Sequence, residues 1–330
     1  MTCDLTSSAP PAMRDTTVDF RNSDHLRSDQ STFICWLVLL FTIIGLGAIE
    51  VSGREPDQLI DLWPQLAPGE TTRELGEQLP PRPGENPPAT RVRSITCPRL
   101  AIYQPPADQR SQAAVIILPG GGYKYIVVDK EGSEAAVWLN RLGVTALVLH
   151  YRTTTDDEAA IPAWQRPVQD LQRAVRWVRS ETQNLAVSQN HVGVLGFSAG
   201  GQAAAVAATR FNHTCYQPQD KIDRLSARPD FLMLIYPWHL LDQDGRIRPE
   251  IQVQANAPPT FLVHAHDDRS SSLGSALLYV ELKRQHVTTE LHVYETGGHG
   301  YGLRPVSNSQ VATWPDRAAE WMRPRSLILP

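Results

Sequence analysis

From about residue 99 onward the chain alternates between short apolar runs and amphipathic stretches. Leu100–Tyr103 and Ala113–Leu118 read as strands. Glu131–Leu142 reads as a helix closed by Gly143, because glycine accepts the left-handed backbone that ends many helices. Val144–Tyr151 is continuously apolar (VTALVLHY), the pattern of a strand buried on both faces. Ala163–Thr182 reads as a helix with Val168, Leu171, Val175 and Val178 along one face. Val-Gly-Val-Leu before Gly196 forms a further strand, and the Ala-rich stretch up to Arg210 a further helix. Phe231–Tyr236, Thr260–Ala265 and Glu290–Tyr294 continue as strands, and Ser275–Gln285 and Val311–Met322 as helices. Strand and helix alternate throughout, which predicts an α/β fold with a mostly parallel central sheet and helices on both faces. Residues 237–259 form the sizeable insertion after the residue 191–210 unit, short enough that any lid is small.

The first third of the chain has a different texture. Residues 1–32 are polar without apolar periodicity and read as a disordered tail. Phe33–Ile49 carries no charge. It falls short of the ~20 residues of a membrane span and is close to a signal-peptide core. Gly45, Gly47 and Ala48 fit a cleavage site, but the segment before it is long and holds more acid than base. Two readings stand: the true start lies downstream, for instance at Met13, or residues 33–49 are an uncleaved anchor. A buried helix is a third, set aside because nothing nearby covers it. Either leading reading places the folded part outside the cytoplasm, secreted, periplasmic or membrane-anchored. Residues 50–98 are rich in Pro, Gly and Glu and read as a linker with an extended lead-in, leaving 99–330 as the folded domain.

Composition narrows the classes. The 330 residues are 42% hydrophobic and 20% charged, which suits one large globular domain with an N-terminal extension. A formal net charge of −4 gives no basis for a nucleic-acid partner. Of the four cysteines, only Cys97 and Cys215 fall in the folded part. They read as two free thiols, with a disulfide as the alternative in an exported protein.

The chemistry centres on Gly196-Phe197-Ser198-Ala199-Gly200. A G-x-S-x-G between an apolar strand and a helix is a nucleophile elbow, which lifts the serine hydroxyl above the sheet edge. A serine hydroxyl needs a positioned base, and the base needs a group that fixes its tautomer. The base is read as His299, in the loop Thr296–Gly302 after strand Glu290–Tyr294. The acid is read as Asp268, with Asp267 as the alternative, after strand Thr260–Ala265. The order Ser, Asp, His is that of elbow hydrolases. Backbone N–H groups must hold the oxyanion. Ala199 supplies one, and Gly121 and Gly122 in Pro119-Gly120-Gly121-Gly122-Tyr123 are the other candidates. Tyr123, Trp238 and Tyr301 border this site and are candidate substrate-binding residues, with plain packing as the alternative. Glu131 is read as capping or positioning the glycine loop, and Asp170 as ion-paired among Arg166, Arg173 and Arg176. His264 and His266 beside two aspartates permit a metal reading, but no distant Cys or His has the spacing to complete a tetrahedral site. The proposed chemistry needs no metal or organic cofactor.

The ensemble PGGGY at 119–123, Glu131-Gly132, Trp138-Leu139, Tyr151-Arg152, Asp170-x-x-Arg173-Ala174, GVLGFSAGG at 193–201 and ELHVYETGGHGYG at 290–302 resembles the α/β-hydrolase carbohydrate esterases. The resemblance is to their acetylxylan-esterase-like branch, the xylanase B-like or BD-FAE type, and runs over about residues 60–322. It implies the α/β-hydrolase fold, hydrolysis of acyl, above all acetyl, esters on carbohydrate, and an acylated carbohydrate as the partner. By the same resemblance Ser198 is the nucleophile, His299 the base and Asp268 the acid. Two positions depart from relatives: Pro119 stands where related lipases carry His, and Arg269–Ser272 replaces a Val-Pro-containing loop. Competing readings are a small-ester carboxylesterase, a serine peptidase of the prolyl-oligopeptidase type, a hydrolase fold used only for binding, and a metal-assisted deacetylase built on His264–Asp268.

Overall fold

The computed structural model describes residues 54–154 and 161–329; the segments 1–32 and 33–49 lie outside the described residues. The chain enters with β1 (Gln58–Asp61), β2 (Leu75–Leu79), β3 (Arg91–Ile95) and β4 (Arg99–Tyr103). The glycine loop connects β5 (Ala114–Leu118) to β6 (Tyr125–Val127). Then follow α1 (Glu134–Arg141), β7 (Thr145–His150), α2 (Gln165–Ser180) and the short α3 (Thr182–Leu185). β8 (Val192–Phe197) runs straight into α4 (Ser198–Thr209). The chain closes with β9 (Phe231–Ile235), β10 (Thr260–Ala265), α5 (Leu273–Arg284), β11 (Thr289–Tyr294) and α6 (Trp314–Met322).

Eight strands form one sheet in the order β1-β4-β7-β5-β8-β9-β10-β11. β1 and β4 are antiparallel to their neighbours, and every pairing from β7 to β11 is parallel. This is the mostly parallel sheet that the alternation predicts. Successive residues of a strand face opposite sides of a sheet. Accordingly Ile116, Leu118, Leu147 and Leu149 pack in one core with α2, α4 and α5. Val115, Ile117, Ala146 and Val148 pack in the other with α1 and α6. Both faces being covered, the central strands read as unbroken apolar runs. Helix α4 is buried along its whole length, which explains why it is apolar all round rather than on one stripe.

Residues 50–98 depart from the expected linker. Among the described residues β1 extends the main sheet, while β2, β3 and β6 make a separate antiparallel three-stranded sheet. Leu62, Trp63, Ala67 and Ile95 are core residues. The strands escaped the reading because β1 and β2 are short and largely exposed, so they carry no alternation. Two of the expected helices open on a turn that is not α-helical. Asp129–Ser133 forms a wide π-turn ahead of α1, and Val311–Thr313 a tight 3₁₀ turn ahead of α6. Cys97 and Cys215 are free thiols.

Candidate active site

The loops that follow β5, β8, β9, β10 and β11 leave the sheet at one end, because those strands are parallel. Ligand sites of open α/β sheets form at this carboxyl end. Ser198 sits at the β8–α4 junction with φ of 51°. A non-glycine residue there is uncommon. The junction closes only because its neighbours lack side chains: a Cβ on Gly196 would stand 2.7 Å from the Gly200 carbonyl oxygen, and a Cβ on Gly200 would strike the carbonyls of Leu118 and Pro119. The Trp238 N–H, just after β9, donates to the Ser198 carbonyl at 2.9 Å and ties the elbow to the next loop.

Ser198 Oγ lies 2.8 Å from His299 Nε2. His299 Nδ1 lies 2.7 Å from Asp268 Oδ2 and 2.9 Å from Oδ1. Since an ionised carboxylate only accepts, Nδ1 carries the proton and Nε2 is left as an acceptor toward the serine hydroxyl. Asp267 does not share this contact. It is exposed, and its Oδ1 accepts from the Gly298 N–H at 2.8 Å. Burial pushes the Asp268 carboxyl up, but hydrogen bonds from His264, His299 and the Ser270 N–H outweigh it and hold it at about 2. His264 is fully buried and committed at both ring nitrogens: Nδ1 meets Ser275 Oγ at 2.8 Å, and Nε2 meets the Ser270 carbonyl at 2.7 Å and Asp268 Oδ2 at 3.1 Å. It supports the carboxylate instead of offering a ligand position to a metal.

The glycine loop lies directly on the elbow. A Cβ on Gly120 would come within 2.7 Å of Ser198 Cβ and of Glu131 Oε2. The Gly120 N–H donates to Glu131 Oε2 at 2.7 Å. Among the described residues the N–H groups of Gly121 and Gly122 donate to no protein acceptor. Ala199 is in the first turn of α4, where amides have no intrahelical partner. Ala199, next to the serine, and Gly121 and Gly122, next to Gly120, thus keep uncommitted backbone donors among the described residues.

The three aromatic candidates separate. Tyr123 is 3% exposed, packs edge-on against Tyr151 and gives its hydroxyl to Gln202 at 2.9 Å. Its side chain faces the core and not an open groove. Tyr301 is also 3% exposed, lies edge-on to Tyr236 with ring centroids 4.4 Å apart, and has a buried hydroxyl without a partner among the described residues. Burial pushes both phenols well above their ordinary range. Only Trp238 is partly exposed, its ring 3.8 Å from that of the exposed His239. Asp170 pairs with Arg152 at 2.9 Å and accepts from Trp63 Nε1 at 2.9 Å, not with the arginines of its own helix. Those turn elsewhere: Arg173 to Asp220 and Asp223, Arg166 to Glu70.

Two residues of the site were missed. Gln202 accepts from Tyr123 and donates to the His239 carbonyl at 2.9 Å, joining the glycine loop to the loop after β9. Tyr236 donates to Glu131 and accepts from the Gly302 N–H, both at 2.9 Å. Its position at the carboxyl end of a buried strand, like the segments that carry Ser198 and Asp268, was the available signal.

A family model described as BD-FAE matches residues 100–231. An acetylxylan esterase of Xylanibacter ruminicola is 27% identical over 221 residues, covering 59% of this chain and 42% of that protein. An endo-1,4-beta-xylanase B of Butyrivibrio fibrisolvens is 27% identical over 216 residues, covering 58% and 33%. The chain thus spans less than half the length of these two relatives. The crystal structure of an acetyl ester-xyloside bifunctional hydrolase from Caldicellulosiruptor lactoaceticus superposes with a TM-score of 0.66 at 28% identity, covering 83% of this chain and 98% of that one. The fold is that of the α/β hydrolases, and the chain resembles their acetylxylan-esterase-like branch.

Proposed function

We propose that this α/β hydrolase is a serine esterase that removes acyl groups, acetyl above all, from carbohydrate such as acetylated xylan or xylo-oligosaccharides. One observation carries the reading: the unbroken hydrogen-bonded series Ser198 Oγ, His299 Nε2, His299 Nδ1, Asp268 at the carboxyl end of the sheet. His299 takes the Ser198 proton as Oγ attacks the ester carbonyl. The amides of Ala199 and of Gly121 and Gly122 stabilise the oxyanion. His299 then protonates the departing sugar hydroxyl, and water, activated by the same imidazole, releases the acid from the acyl-enzyme. Asp268 holds the ring in the productive tautomer and stabilises the imidazolium. Trp238, the partly exposed aromatic beside Ser198, offers a face for a sugar ring. The named activities of the relatives support the carbohydrate assignment. The uncharged Phe33–Ile49 supports export or anchoring with the site outside the cytoplasm.

The test measures acetyl release from acetylated xylan and from a small aryl acetate, with wild type and Ser198→Ala. Wild type cleaves both and the variant neither. Full activity in Ser198→Ala removes the elbow reading. Cleavage of the aryl acetate alone removes the carbohydrate assignment and leaves a small-ester carboxylesterase.

A further inference from the structure

Among the described residues, Glu131 is the buried carboxylate that accepts a hydrogen bond from the glycine loop. It is 4% exposed and sits in the π-turn over Asp129–Ser133, a local widening frequent at functional sites. Its two oxygens are divided. Oε2 accepts from the Gly120 N–H at 2.7 Å, and Oε1 accepts from the Tyr236 hydroxyl at 2.9 Å. Tyr236 in turn accepts from the Gly302 N–H at 2.9 Å, and the Gly302 carbonyl accepts from Trp314 Nε1 at 2.8 Å. Gly120 lies between the carboxylate and the nucleophile, since a Cβ there would stand 2.7 Å from both Glu131 Oε2 and Ser198 Cβ. Gly302 is in the histidine loop, three residues beyond His299. The Tyr236 ring also lies against the His299 ring, centroids 5.1 Å apart.

We infer that Glu131 is a positioning residue that holds the two loops of the site in register: it fixes the glycine loop through Gly120 and the histidine loop through Tyr236 and Gly302. The inference rests on the esterase reading. Both neighbours of the carboxylate are donors, so the ionised form alone satisfies the arrangement with every proton placed. Burial holds its pKa above the ordinary carboxylate value, with the Tyr236 and Gly120 donors offsetting part of that rise. A neutral side chain is poorly suited. Glutamine keeps the shape, but its NH₂ faces either the Gly120 N–H or the tyrosine, and in the second case the tyrosine proton is left without an acceptor. The consequence is misplaced oxyanion donors relative to His299, not a weaker substrate groove.

The experiment uses the full chain with an aryl acetate. Glu131→Gln, Tyr236→Phe and the double variant are compared for kcat, KM and thermal midpoint. Glu131→Gln and Tyr236→Phe each lower kcat roughly 10- to 100-fold, the scale of a small misplacement of reacting groups, with KM within about twofold. The double variant loses less than the product of the single losses, because both act through one network. Single variants that keep kcat within about twofold overturn the inference, as do losses carried by KM or losses that multiply. If Glu131→Gln fails to fold, Tyr236→Phe decides alone, since it leaves the Glu131–Gly120 contact intact. Absence of turnover in wild type, or full turnover in Ser198→Ala, sinks the esterase reading itself. Wild-type turnover in Glu131→Gln sinks only this one.

Discussion

Replacing Asp268 by asparagine separates the two adjacent aspartates. Three donors converge on Asp268: His299 Nδ1, His264 Nε2 and the Ser270 N–H. Asparagine exchanges one acceptor oxygen for an NH₂. Whichever way the amide turns, that NH₂ meets the Ser270 N–H or His264 Nε2. His299 then relaxes to the tautomer that accepts at Nδ1, and Nε2 arrives at Ser198 already protonated. A base in the wrong tautomer costs on the order of 10⁴ in kcat, about 5 kcal/mol of transition-state stabilisation. Asp267→Asn keeps an acceptor for the exposed Gly298 N–H, and the difference is under about 1 kcal/mol. Steady-state hydrolysis of an aryl acetate reads both. The same carboxylate couples to acid stability. Its pKa falls from 3.8 to about 2 on folding, worth about 2 kcal/mol. The native carboxyl binds its proton less tightly than the unfolded one. The contribution is therefore full above the unfolded value and is lost as the pH falls through about 2. Urea unfolding of wild type and Asp268→Asn should diverge most near neutrality and converge in acid. Loss of activity in Asp267→Asn equal to that in Asp268→Asn, or retention of more than about a tenth of kcat in Asp268→Asn, refutes the reasoning.

Gly120→Ala puts a methyl 2.7 Å from both Ser198 Cβ and Glu131 Oε2. It should lower kcat by about 100-fold, the scale of a displaced reacting group, as read by the same assay. Gln202→Leu leaves the buried Tyr123 hydroxyl and the His239 carbonyl without their partner. Urea unfolding should report a loss of about 1–3 kcal/mol, and a loss under about 0.5 would count against the bridge. Arg152→Met strands Asp170, whose side chain is 0% exposed. The expected cost is about 3–5 kcal/mol, partly recovered by adding Asp170→Asn.

The central strands were legible because each is covered on two faces and so carries an unbroken apolar run; Thr260–Ala265 coincides with β10 to the residue. The exposed strands before residue 99 carried no such pattern, and their anchors Leu62, Trp63 and Ile95 are scattered among prolines and charges. At the site, Ser198 and His299 follow from a motif and from chain order. The two aspartates are sequence neighbours at a strand end, and only burial, with His264 and Ser270 turned toward Asp268, tells them apart. The sequence surrounds Asp170 with helix arginines, but the side chain faces inward to Arg152, which belongs to the loop after β7. Networks such as Glu131–Tyr236–Gly302 join residues more than 60 positions apart, and no local pattern encodes them.

The left-handed backbone at Ser198 has an evolutionary consequence. A side chain in that region costs on the order of 1–2 kcal/mol, more than the about 0.5–1 kcal/mol of chain entropy that glycine gives up on folding. On the esterase reading, selection for the hydroxyl keeps a Cβ there. A lineage that retained the fold but abandoned hydrolysis would become more stable by drifting to glycine at 198, and alanine would keep the conformational cost without the hydroxyl. Inactive descendants of this protein should therefore be recognisable by glycine at 198, between Phe197 and Ala199, and by a melting temperature above that of the form that keeps the serine.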